Sequence, residues 1–350
     1  MRDPAADLRQ IAFLLERARE PTYRVRAFRT AAGVVDGLGR NELQQRSGAE
    51  SLTELRGIGQ ATARCITESL AGEQPGYLRG LLDAGEPDLD PATAALRRRL
   101  RGDCHTHSDW SDGGSPIKEM ADTARALGHE YLVLTDHSPR LTVANGLSAD
   151  RLVRQLDVVA EFNEQYARDG GPSFRILTGI EVDILEDGTL DQKPSLLARL
   201  DLVVASVHSK LRMPASEMTP RMVAAVANPH TDVLGHCTGR LITGRRGQRP
   251  ESQFEAEIVF AACVQFGVAV EINSRPERLD PPKRLLREAV GTGCLTAIDT
   301  DGHAPGQLDW QPNGCERAVE CDVPVEHIVN TWTADQLLAW TADHSVRPKA

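Results

Sequence analysis

From residue 102 onward, short β-branched runs alternate with helical segments. The pattern predicts strands at Gly102–His107, Tyr131–Asp136, Arg175–Val182, Leu202–His208, Asp232–His236, Val268–Asn273 and Leu295–Thr300. Helical stretches such as Ile117–Leu127 and Phe254–Phe266 fall between them. Apolar strands separated by helices indicate parallel pairing with both faces covered. Seven such units favour an α/β fold, a closed (β/α) barrel. The 350 residues leave room for a second, smaller domain.

The predicted strand ends carry the chemistry. Strand one ends at His105 and His107, with Asp112 beyond, and strand two at Asp136 and His137. Strand three ends at Glu181 and Asp183, strand four at His208, and strand five at His236. Strand six ends at Glu271, Asn273 and Arg275, and strand seven at Asp301 and His303. In a (β/α) barrel this rim is where active sites are built. Residues two apart on a strand point the same way, which suits His105-x-His107 and Asp301-x-His303. Imidazole and carboxylate together suit zinc, manganese or iron. A shared carboxylate such as Glu181 can bridge two ions, and paired ions assist displacement at phosphorus. Arg240, Arg275 and Lys210 adjoin these strand ends and are candidate phosphate contacts. His129, His230, His327 and His344 read as surface or packing residues.

HTHSDWSDG, LTDHS, GIEVDI, SVHS, LGHCTGRLI, EINSRPERLD and DTDGH occur in that order. Together they resemble the PHP (polymerase and histidinol phosphatase) family over residues 101 to about 335. The resemblance implies a distorted seven-stranded, TIM-like barrel with up to three divalent metal ions (Zn, Mn or Fe). It implies His105, His107, Glu181 and Asp301 as ligands of the first ion. Glu181, His208 and His236 would hold the second, and Asp112, His137 and His303 the third. It further implies a phosphoesterase working by metal-hydroxide attack.

The N-terminal hundred residues are helical in pattern. Leu8, Ile11, Leu14, Leu15 and Ala18 share one face. A second helix follows Pro21, with Val25, Phe28, Ala32 and Val35 inward and Arg24, Arg26 and Arg29 outward. LRGIGQATA is similar to a helix-hairpin-helix element. Its Gly57, Ile58 and Gly59 would turn backbone N–H groups toward a DNA phosphate without reading bases. The whole stretch resembles the N-terminal domain of bacterial family X DNA polymerases, which also carry a C-terminal PHP barrel. The polymerase palm of that family is missing, because only about thirty residues separate the two parts here. No lysine precedes Lys118, so Schiff-base lyase chemistry has no residue to use. The expected organisation is a DNA-binding-like helical domain at 1–80, a linker at 81–100 and the barrel at 101–350.

Composition narrows the partners. Net charge is −10, and residues 1–100, with 15 arginines against 14 acidic residues, are close to neutral, so bulk charge gives no nucleic-acid footprint. DNA contact must come from local geometry. The 7 cysteines include no CxxC pair and read as reduced thiols. No apolar run is long enough to span a bilayer and no signal peptide is evident, so no membrane partner and a cytoplasmic location are expected. The expected function is hydrolysis of phosphodiesters or 3′-phosphates at DNA ends, without polymerisation. The alternatives are a small-molecule phosphomonoesterase, such as a histidinol phosphatase, and a non-catalytic DNA-binding scaffold.

Overall fold

The computed structural model describes residues 2–85, 88–169, 171, 173–243 and 247–343. The chain divides into two compact units, Met1–Asp88 and Leu89–Ala350. Part of the expected linker (86–87), the end of the expected barrel and His344 lie outside the described residues.

The first unit contains α1 (Pro4–Arg17), α2 (Thr22–Asp36), α3 (Arg40–Gly48), α4 (Gln60–Leu70) and α5 (Gly76–Asp83). Asp3 caps α1 by accepting from the Ala5 N–H at 2.9 Å, and Pro4 pre-sets its first turn. Leu8, Ile11 and Leu15 pack against Phe28, Val35, Ile66 and Leu78 in one core. The Gly57-Ile58-Gly59 turn is anchored by Ile58, which is buried in that core. Gly57 has φ +99°, and an added Cβ would meet Thr30 Cγ2 at 2.8 Å. Gly57→Ala therefore lowers stability by about 1–3 kcal/mol, from strain and crowding together. Gly59 has φ −100° and open space around its Cα, so Gly59→Ala costs less than about 1 kcal/mol. Urea unfolding of the two variants checks this ordering, and equal losses would contradict it.

The second unit opens with α6 (Pro91–Arg97) and then alternates: β1 (Gly102–Thr106), α7 (Ile117–Ala126), β2 (Tyr131–Leu134), α8 (Ala149–Arg168), β3 (Arg175–Asp183), α9 (Pro194–Leu197). It continues with β4 (Leu202–Ser206), α10 (Ala215–Val226), β5 (Val233–Leu234), α11 (Ala256–Phe266), β6 (Ala269–Asn273) and α12 (Lys283–Thr292). The last elements are β7 (Thr296–Asp299), α13 (Gln311–Glu320) and α14 (Ala334–Ala342). The strands lie in the order β1 to β7, each parallel to the next. Several strands end earlier than predicted: His107, His137, His208, His236 and Asp301 sit past the last strand residue, whereas His105 and Glu181 lie within β1 and β3.

The barrel closes between β7 and β1 through side chains more than through a ladder. Backbone pairing there is a single bridge, Thr106 to Gly302, with the His107 N–H donating to Gly302 O at 2.8 Å. Below it, Thr300 Oγ1 donates to Asp103 Oδ2 at 2.5 Å and the Cys104 N–H to Asp299 Oδ1 at 2.8 Å. Asn330 accepts from the Ile298 N–H at 2.6 Å and donates to Asp299 at 2.8 Å and to Gly102 O at 3.3 Å. Gln311 adds bonds to Gly102 O at 2.9 Å and Ile298 O at 3.2 Å. These contacts satisfy backbone groups that an incomplete ladder leaves without partners.

Candidate metal centre

Glu181, 1% exposed at the end of β3, stands at the middle of the barrel mouth. Five imidazoles surround its carboxylate. His236 Nε2 is 2.9 Å and His208 Nε2 3.2 Å from Oε1. His137 Nδ1 is 2.8 Å, His105 Nε2 3.3 Å and His107 Nε2 3.6 Å from Oε2. Asp301 Oδ1 lies 3.5 Å from both His107 Nε2 and His303 Nδ1. Asp112, the most exposed member with 37% of its side chain open, lies 3.3 Å from His303 Nε2 and 3.5 Å from His137 Nε2. The loop carrying it turns tightly: the Gly113 N–H donates to Ser108 O at 2.9 Å, and a Cβ on Gly113 would lie 2.6 Å from that carbonyl.

Three overlapping sets of donor atoms each lie within 4.8 Å of one another. They are His107, Asp112, His137 and His303; His105, His107 and Glu181; and His137, Glu181 and His208. His105 Nε2, both nitrogens of His107 and Glu181 Oε2 are buried and make no hydrogen bond among the described residues. Unpaired buried polar atoms are costly, and here they converge. A divalent cation satisfies such lone pairs at once, so the donor set fits metal ions.

Outer partners orient the rings. His105 Nδ1 donates to Glu271 Oε1 at 2.7 Å, and His208 Nδ1 to Asp183 Oδ1 at 2.5 Å, leaving each Nε2 facing inward. Asp136 takes no place in the cluster. It accepts from Ser108, Ser111 and Gln155 and so fixes the loop after β1.

The electrostatics keep the carboxylates charged. Burial works to raise the Glu181 pKa, but His105, His208 and His137 outweigh it and hold it well below the usual range. Asp301 is likewise depressed against burial, by the close approach of His107 at 3.5 Å and the charges of Arg278 and Arg275. Against burial, Glu181 and Asp183 push His208 up to about 9. Burial, with His303 and His137, pushes His107 well down. The mouth thus offers ionised carboxylates beside a neutral imidazole.

All nine metal-ligand candidates occupy this mouth. Arg275 borders it, its Nη1 donating to Asp301 O at 3.0 Å and lying 3.1 Å from His303 Nδ1, with the guanidinium over the Trp310 ring. Arg240 does not fit its expected role. Its guanidinium is occupied by Arg278 O at 3.0 Å, Leu279 O and Glu251, so it secures the loop after β6. Lys210 leaves 62% of its side chain in solvent and lies 4.0 Å from Glu186. Arg278, not selected from the sequence, has Nε 3.0 Å from Asp301 Oδ2. Its place in a loop rather than at a strand end explains the omission. The seven cysteines are free and buried, consistent with packing. His129 is buried and pairs with Gln311, and burial pushes its pKa down to about 3.

In the helical unit, Arg26 is exposed and lines a groove of about 380 Å³ with Tyr23, Thr30 and Gly57. Arg29 does not face outward as predicted. It forms two 2.6 Å bonds to Glu16, whose side chain is only 5% exposed, because that buried carboxylate needs a partner. Arg24 is held by Tyr77 and Glu20. The Gly59 N–H is already bonded to Thr62 Oγ1 at 2.9 Å and the Ile58 N–H to Leu55 O at 3.1 Å, which leaves the first residues of α4, Gln60 and Ala61, whose N–H groups have no intrahelical partner.

A seven-stranded parallel barrel with a His- and carboxylate-lined mouth, joined to a hairpin of helices, defines the class. Residues 103–275 match the PHP domain family and residues 2–75 a helix-hairpin-helix domain family. The chain carries a PHP domain preceded by a helix-hairpin-helix domain, with no polymerase palm between them. It is 37% identical over 232 residues to the DNA polymerase/3′-5′ exonuclease PolX of Bacillus subtilis (strain 168), covering 66% of this chain but 39% of that protein. A probable phosphatase of Thermoanaerobacter sp. (strain X514) is 29% identical over 212 residues, 57% of this chain and 78% of that one. A histidinol phosphate phosphatase from Lactococcus lactis, solved with zinc, L-histidinol and phosphate, aligns with TM-score 0.44 at 16% identity, covering 63% and 92% of the two chains. No helix among the described residues is long and apolar enough to cross a membrane.

Proposed function

We propose that this chain is a metal-dependent phosphoesterase that trims or cleans the 3′ ends of DNA. The observation that carries this reading is the crowd of imidazoles and carboxylates around Glu181, where seven of the nine expected ligands fall into close donor sets, in a chain that also bears a helix-hairpin-helix turn. His105, His107, Glu181 and Asp301 would hold one cation, Glu181, His208 and His236 a second, and Asp112, His137 and His303 a third. Bound divalent cations supply Lewis acidity toward phosphoryl oxygens and acidify water at neutral pH.

The protein's own groups do the rest. Glu271 and Asp183 hold the rings of His105 and His208 in one orientation, so the donor set needs little rearrangement. Arg275, anchored on the Asp301 carbonyl and stacked over Trp310, faces the mouth as a phosphate contact. Bound dications would offset the charge of Asp112, Glu181 and Asp301 and of the outer carboxylates Asp183 and Glu271, so an acidic chain could still draw in a phosphate. In the helical unit, the N–H groups of Gln60 and Ala61, with Arg26 nearby, grip the DNA backbone independently of sequence.

The test uses Mn²⁺-supplemented full-length protein and a 5′-labelled primer in a gapped duplex, ending in 3′-hydroxyl or 3′-phosphate. The expected result is a ladder of shortened products, or a single mobility change on the phosphorylated end. His105→Ala should reduce either by about 10³-fold. Hydrolysis of histidinol phosphate with neither DNA product would contradict the DNA reading and assign the barrel to small phosphomonoesters.

A further inference from the structure

The loop after β6, Ser274 to Pro281, is held more firmly than a connection requires. Asp280 is fully buried and accepts from the Thr238 N–H at 3.1 Å, Thr238 Oγ1 at 2.6 Å and the Arg240 N–H at 3.2 Å. The Arg278 carbonyl accepts from Arg240 Nε at 3.0 Å. The Leu279 carbonyl accepts from both Arg240 and Arg317, and the Pro281 carbonyl from Arg317. Leu279 itself sits at φ +44°, a left-handed conformation that costs a leucine about 1–2 kcal/mol. Strain that surrounding contacts over-determine marks a segment that must hold something in place.

What this turn holds is Arg278. Its side chain is 15% exposed, and Nε lies 3.0 Å from Asp301 Oδ2, a candidate ligand. Nε and Nη1 are both buried, and neither makes a hydrogen bond among the described residues. A guanidinium carries its donors in a planar fork, and leaving such donors desolvated and unbonded is costly. Arg240 and Arg317 are occupied by backbone carbonyls, whereas Arg278 pairs through Nε with Asp301 and keeps Nη1 buried without a bond among the described residues.

We propose that Arg278 is a substrate-binding residue of this site, donating from the guanidinium to a non-bridging oxygen of the phosphate group. Two residues would then divide the work: Arg275 at the more open edge and Arg278 deeper, beside Asp301. This deepens the phosphoesterase reading and rests on it. The bond is neutral in atoms and electrons, because guanidinium stays protonated throughout.

The experiment uses full-length protein loaded with Mn²⁺, and compares wild type with Arg278→Ala and Arg278→Lys. Inorganic phosphate is the probe: its dissociation constant is measured by calorimetry, beside KM and kcat for a p-nitrophenyl phosphoester and the metal content per chain. Arg278→Ala should weaken phosphate binding about 10- to 100-fold and raise KM similarly, the range for a lost charged hydrogen bond. Metal content should stay at the wild-type value. Arg278→Lys should recover part of the phosphate affinity, and added methylguanidinium should do the same for Arg278→Ala. Unchanged phosphate affinity in Arg278→Ala would overturn the proposal. So would loss of bound metal in both variants, which would make Arg278 only a support for Asp301. Wild-type protein that binds phosphate through Arg278 but hydrolyses no ester would count against the phosphoesterase reading while leaving the binding role standing.

Discussion

Replacing Glu181 by glutamine lowers phosphoester hydrolysis by about 10³-fold and reduces bound metal by at least one ion per chain. The size of the effect follows from position. Glu181 lies within 3.6 Å of His105, His107, His137, His208 and His236 alike. A glutamine occupies the same volume but offers one neutral oxygen where two charged ones stood, so it cannot serve two cations. The fold should survive, since the outer bonds of His105 to Glu271 and of His208 to Asp183 remain. Initial rates with a p-nitrophenyl phosphoester, beside metal analysis of the same sample, check the claim. Full metal content with a rate within about tenfold of wild type would contradict it.

Asn330→Ala should destabilise the barrel by about 2–4 kcal/mol. The amide sits at the seam where the strand ladder is incomplete. Its removal leaves the Ile298 N–H and Asp299 buried without the bonds of 2.6 and 2.8 Å that they now make. Asp299 is the sensitive partner. Burial already pushes its pKa well up, helped by Asp103 and Glu271. Asn330→Asp keeps an acceptor for the Ile298 N–H but sets a second carboxyl against Asp299, and should lose at least as much. Denaturant unfolding of the metal-loaded protein measures both, and a loss below about 1 kcal/mol for Asn330→Ala would contradict the seam argument.

The barrel was legible because period and spacing are local properties. β-Branched runs between helices specify parallel strands, and parallel strands put their C-terminal ends together, so His105, Glu181 and Asp301 could be grouped without coordinates. Asymmetric pairings across the chain could not. Nothing local in the sequence joins His105 to Glu271, or Asn330 to the β1–β7 seam. Arg240 and Arg278 show the same limit: both lie in loops past strand ends, and only packing decides that one guanidinium meets carbonyls and the other meets Asp301. Arg29 was read as solvent-facing because buried carboxylates such as Glu16 leave no trace in an amphipathic pattern. Helix α3 was passed over for a simpler reason. Its sequence, RNELQQRSG, buries only Leu43 and so has no apolar stripe to detect.

The central claim is that one buried carboxylate, Glu181, unites a multinuclear metal site. The direct measurement is an EPR titration of metal-free, full-length protein with Mn²⁺, with bound metal counted in parallel. At least two Mn²⁺ per chain and a spin-coupled spectrum that Glu181→Gln abolishes are expected. One isolated Mn²⁺ per chain, or a coupled spectrum unchanged in Glu181→Gln, would contradict it.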